Sequence, residues 1–304
     1  MPHIMSCLKV RGLIGGVMCA ALINWPAVGA ETAPIPDFSG MWGRNSFDHE
    51  ALPSGPAPLA NLKRVKDGSS DPEQLVGDYT NPILKPGAAE KVRQMGEISK
   101  KGLDYRDPSN QCAPYSPPFT FAMQLGLQML QGKNEITMLY PQDDQVRRVH
   151  LNGAHPQNLV PSAMGDSIGH YEGDTLVVDT VGIKVLPTTV ADRFGTPQTE
   201  AMHIVERYRL IDVAQARAAQ AQHEKIAGRV GGAPGANPVD PNYDKGLQLQ
   251  FTVEDPNVFT MPWTAQVTFQ HTRTSWTEQV CAENFHEFYS NKDTEIPQAE
   301  KPDF

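Results

Sequence analysis

From Glu135 onward the chain alternates apolar and polar residues in short runs, the period of two that marks strands with one buried face. The chain is organised around Asp166 to Gly182, DSIGHYEGDTLVVDTVG, whose second strand, TLVVDTV, is β-branched and nearly continuous in apolar residues, as a strand with a buried face requires. This stretch predicts a hairpin of residues 168–171 and 175–181, with Glu172-Gly173-Asp174 as the turn, since Gly supplies the positive φ of a tight reversal. Further strands are predicted over 136–140, 145–151, 202–211, 247–255 and 263–272, and Asn152-Gly153 marks another turn. In the 202–211 strand, MHIVERYRLI, the pleat puts His203, Val205, Arg207 and Arg209 on one face. Ile204, Glu206, Tyr208 and Leu210 take the other.

Two stretches switch to the helical period. Residues 87–101 read as a helix with Pro86 near its start and Gly102 as its stop. Asp212 caps a second helix, residues 213–228, rich in Ala and Gln. That helix and the Gly/Pro-rich return through residue 246 form an insertion between two strands. Phe38 to Trp42 reads as a short first strand or an aromatic plug, residues 48–82 as an irregular surface segment, and residues 119–131 fit helix or strand equally. The pattern predicts a mainly β fold, an antiparallel up-and-down meander closed into a barrel or a strongly curved sheet. A parallel βαβ sheet lacks its alternating helices. The expected divisions are an irregular and helical N-terminal extension over 31–131, a barrel core over 132–284 with the insertion at 212–246, and a polar tail over 285–304.

The first thirty residues have the form of a secretory signal. Lys9 and Arg11 precede a short apolar run, and Ala27 to Ala30 supply small residues for cleavage. The expected location is the periplasm or the medium, with no membrane span. The formal charge is −9, and loss of the two cations with the leader makes it more negative, which argues against nucleic acid as a partner. Cys112 and Cys281 remain after the leader, and in an oxidising compartment they read as one disulfide, worth roughly 5 kcal/mol on the chain-entropy account.

Several of these marks recur together. Cys112-Ala113-Pro114, Asn152-Gly153-Ala154-His155-Pro156, the Gly165–Asp179 block, Glu206-Arg207, Asp255-Pro256 with Pro262-Trp263, and Cys281 give the chain a resemblance, over about residues 37–284, to a largely uncharacterised family of secreted bacterial proteins with a GDSxGxWEGDTLVVDT block. The resemblance implies a lipocalin-like barrel. Three departures stand out: Tyr171 replaces the block's Trp, Pro117 follows Cys112 without the usual intervening Gly, and the helical insertion is long.

Chemistry is harder to read. HExxH, a GxSxG elbow, a phosphate-binding loop and CxxC are all missing, and no cofactor or metal is expected. Glu206 shares a face with Ile204 and Leu210. A carboxylate there is either paired, most simply with an Arg, or raised in pKa for acid/base work. His203, Glu206 and His170 are the candidate catalytic groups, because imidazole titrates near neutrality. His155, Tyr171, Arg207, Tyr208, Trp263 and Phe259 are candidate ligand contacts. Two functions fit: a barrel binding a small apolar or aromatic molecule in an internal cavity, and a cofactor-free lyase, isomerase or hydrolase working in that cavity. Residues 183–199 form a loop long enough to cover it.

Overall fold

The computed structural model describes residues 34–44, 47–71, 73–102, 108, 112–123, 125–227 and 240–273. The leader, Cys281 and the polar tail lie outside the described residues.

Ten strands make one sheet: β1 (Gly40–Gly43), β2 (Glu50–Ala51), β3 (Leu127–Gln131), β4 (Glu135–Tyr140), β5 (Gln145–Leu151), β6 (Asp166–Glu172), β7 (Thr175–Val181), β8 (His203–Asp212), β9 (Lys245–Glu254) and β10 (Trp263–His271). β3 to β10 follow one another around the wall, and β1 bonds to both β3 and β10, closing a nine-stranded barrel. The short β2 adds to the rim of β10. Closure rests on Trp42 opposite both Leu127 and His271. Gly126, just before β3, makes this approach possible. Its φ is +67°, and a Cβ there would lie 1.8 Å from the Trp42 carbonyl oxygen.

Every pairing is antiparallel except β5–β6. Asn152-Gly153 does turn the chain, with Asn152 at φ 57°, but it opens a crossover and not a hairpin. The loop through His155 carries the chain back along the barrel before β6 begins. Residues 119–131 divide: Phe119–Ala122 is a single 3-10 turn, and β3 follows. The wall therefore takes two strands, β1 and β3, from the part read as N-terminal extension.

The pleat sorts the residues as expected. Ile136, Met138 and Tyr140 of β4, Leu176 and Val178 of β7, Ile204 and Tyr208 of β8, and Leu247, Leu249, Phe251 and Val253 of β9 face inward and are buried. Phe121 reaches in from the 3-10 turn and meets Phe251 edge to face, centroids 5.1 Å apart. Large side chains thus occupy the axis, as is usual in small barrels.

The two helices pack in different places. α1 (Pro86–Lys100) buries Ala88, Val92 and Gly96, spaced four apart, against the 76–77 segment and Phe194. Phe194 belongs to the 183–199 loop, which is pinned by its Asp192 carboxylate bonding the Phe194 and Thr196 amides and the Thr196 hydroxyl. α2 (Val213–Ala227) is the insertion. It buries Ala216, Gln220, His223 and Ala227, one helical face, on the outside of β9 and β10. Gln220 donates to the Thr268 carbonyl and accepts from Gln270, fixing the helix to the wall.

Candidate functional site

Three groups of polar or concave surface emerge. The first is inside the barrel. Arg147 of β5 and Glu206 of β8 are both fully buried and form a two-pronged ion pair, with N···O distances of 2.8 and 2.5 Å. Arg147 also donates to Ser167 and Thr180, and the Thr180 and Tyr208 hydroxyls donate to Glu206. Burial opposes the Arg147 charge, but Glu206 holds its pKa well above the ordinary value. Burial and then Glu206 push Tyr208 up. Glu206 is therefore paired with an Arg. With four donors on one carboxylate it has little capacity left for proton transfer. Arg147 is the residue that reading the sequence missed.

The second group is on the outer wall. His155 directs Nδ1 at Asp166 (2.6 Å) and Nε2 at Asp179 (2.8 Å), and the other Asp179 oxygen meets His203 Nε2 at 2.8 Å. The chain Asp166–His155–Asp179–His203 is continuous. Partial burial works against charge on His155, but its two carboxylate partners outweigh that and raise its pKa. Asp179 is held below the ordinary carboxylate range, its partial burial overcome by the bonds from His203 and His155. The register makes this possible: Asp179 lies opposite Val205, one pleat from His203, and opposite Ile168 on its other side.

The third is a groove of about 320 Å³ outside the barrel, between β2, the strap of residues 52–70, β10 and α2. Leu52, Leu59, Ala60, Ala219, Ile226 and Ala227 give it apolar walls. Ser70 ties the strap to the end of α2 through the Ile226 carbonyl. Asn61 braces the strap from within, donating to Asp71 and Gln74 and accepting from Val76. His49, Glu50 and His223 form the polar floor. Burial drives the His49 pKa down to about 3, and burial with nearby Arg44 lowers that of His223, so both imidazoles are neutral near pH 7. Glu50 is satisfied by Arg44, Thr268 and Gln266.

The three candidate catalytic residues do not converge, although His155 meets His203 through Asp179 and Tyr208 bonds Glu206. His203 and Glu206 lie on opposite faces of β8, and His170 is exposed, bonded to Glu172, which also holds Arg207. Tyr208 is in the interior network. The Tyr171 hydroxyl accepts from Gln131. Trp263 and Phe259 are buried and packed edge to face at 5.7 Å, and Phe259 lines a smaller pocket of about 260 Å³ beside Asp255. Cys112 is described but Cys281 is not, so their pairing lies outside the described residues. Among the described residues no group of His, Cys, Asp and Glu is arranged to hold a metal ion, and no helix is long and apolar enough to cross a membrane.

No family model, curated protein or solved structure matches the chain. The fold and these groups define its class: a closed β-barrel protein with a helical insertion.

Proposed function

We propose that this is an exported β-barrel protein that binds a small, neutral, largely apolar or aromatic molecule in the groove beneath α2. The observation that carries this reading is the groove itself. Its volume falls at the small end of ligand pockets, its walls are apolar, and its few polar groups converge on the floor, the usual make-up of such sites. Glu50 on the floor is already paired with Arg44, and the two neutral imidazoles beside it suit an uncharged hydrogen-bonding group, while Arg64, bonded to Ser70, also lines the groove. The barrel axis, the site expected from the meander, is the weaker place because Phe121, Phe251, Tyr140 and Tyr208 fill it.

The reading is tested with the protein purified from its source and examined by native mass spectrometry for a co-purifying neutral molecule. N-phenyl-1-naphthylamine titrations of wild type and Ala219→Trp follow. Saturable fluorescence in wild type, lost in the variant, is the expected result. Equal binding in both places the ligand elsewhere and defeats the assignment.

A further inference from the structure

We propose that the outer-wall chain Asp166–His155–Asp179–His203 is a proton-abstracting catalytic site, with His203 Nδ1 as the general base, for a small neutral molecule carrying an acidified C–H. The site is separate from the groove, on the outer wall over β6 to β8 and not beside β10 and α2.

Both nitrogens of His155 face carboxylate oxygens at hydrogen-bond distance, so with both carboxylates ionised each nitrogen carries a hydrogen and the ring is an imidazolium. Asp179 then receives one N–H from His155 on Oδ1 and must receive one from His203 on Oδ2. This fixes the His203 hydrogen on Nε2 and leaves the lone pair on Nδ1. Nδ1 has no partner among the described residues, and the side chain is 36% exposed. A carboxylate behind an imidazole that presents its other nitrogen to solvent is the orientation a general base requires. The imidazolium of His155 sits on the same carboxylate that His203 bonds, so removing it changes the charge that His203 meets. The charged groups facing His203 are Asp179 from β7, His155 from the 154–164 loop, with Asp166 of β6 behind it, and Glu254, its register partner on β9. Asp179 and His155 act through His203 and are positioning residues.

The probe is 5-nitrobenzisoxazole. His203 Nδ1 takes the C3 hydrogen, the C–H electron pair forms the nitrile, the ring N–O bond breaks, and its pair leaves on the phenolate oxygen. No other reactant is needed. The rate is measured against pH for wild type, His203→Gln, His155→Gln, and His150→Gln, which removes an exposed imidazole on β5. The expected result is at least a tenfold loss with His203→Gln, no change with His150→Gln, and a shift of the rising limb to higher pH with His155→Gln. A purely structural His155 would not produce that shift. Nitrogen-detected NMR of the intact protein at neutral pH checks the charge state directly, with the hydrogen on His203 Nε2 and both nitrogens of His155 protonated. Equal rates for wild type and His203→Gln, the opposite His203 tautomer, or stoichiometric Zn²⁺ binding that displaces these protons would each overturn the assignment.

Discussion

Replacing Glu206 by Gln probes the centre of the barrel with almost no change in volume. The wild-type carboxylate receives two bonds from Arg147 and one each from Thr180 and Tyr208. The amide keeps one acceptor oxygen and turns an NH2 toward a guanidinium that has only donors. Arg147, 1% exposed, is then a buried charge without its counter-ion. Breaking a buried pair from one side costs about 3–5 kcal/mol, or roughly 6–20 °C in Tm for a chain of this size class. The partner change Arg147→Met removes the donor set and strands Glu206 at a similar cost. The double variant removes both charges. It still loses the bonds of Ser167 and Thr180, each about 1 kcal/mol, so its cost is well short of the sum. Urea denaturation of the four proteins gives the coupling, expected at about 3 kcal/mol, the upper end for residues in one ion-pair network. A Glu206→Gln variant within about 1 kcal/mol of wild type, or a double variant that simply adds the two singles, refutes the argument that this pair holds the interior together.

Other expectations follow from the same structure. His49 is fully buried with its pKa lowered from 6.5 to about 3, so its contribution is present above pH 6.5 and lost as pH falls toward 3; the stability of wild type is expected to fall with acid by up to about 1.4 kcal/mol per pH unit more than that of His49→Gln, by denaturant titration. Asp192 has the opposite sign. Its burial raises the carboxyl to about 6, so the charged form strains the fold as pH rises from about 4 to 6, and Asp192→Asn flattens that part of the stability profile. Gly126→Ala forces a side chain onto the Trp42 carbonyl at a positive φ and is expected to lose more than 2 kcal/mol by loosening the β1–β3 seam. Mass analysis of the secreted, unreduced chain is expected to show two hydrogens fewer than the reduced chain, and free thiols at Cys112 and Cys281 would rule out the proposed disulfide.

The barrel wall was legible because β4, and β8 and β9 over most of their length, alternate, so that an error of one position would have turned every side chain over. The ion pair was half legible. Glu206 announced itself between Ile204 and Tyr208. Arg147 did not, because QVRRVHL places Val146 and Val149 an odd number apart, which fits either face. The structure puts Val149 inside and Val146 outside, 52% exposed, and so draws Arg147 in. The parallel β5–β6 pairing was hidden for a related reason: Asn152-Gly153 reads locally as a hairpin turn, and only the long crossover after it reverses that outcome. The groove had no sequence signal, since its walls come from an irregular strap and an insertion distant in the chain. Asp166 reads as the entry to its strand and Asp179 as a strand residue. Their partnership with His155 and His203 depends on cross-strand register, which no single stretch contains.

The location of the binding site is tested most directly by methyl NMR of the labelled protein during titration with N-phenyl-1-naphthylamine. Ala60, Ala219 and Ile226 report the groove, and Met129 and Met138 report the barrel axis. Saturable shifts confined to the first set are the predicted result. Shifts at Met129 and Met138, with the groove methyls silent, would contradict it.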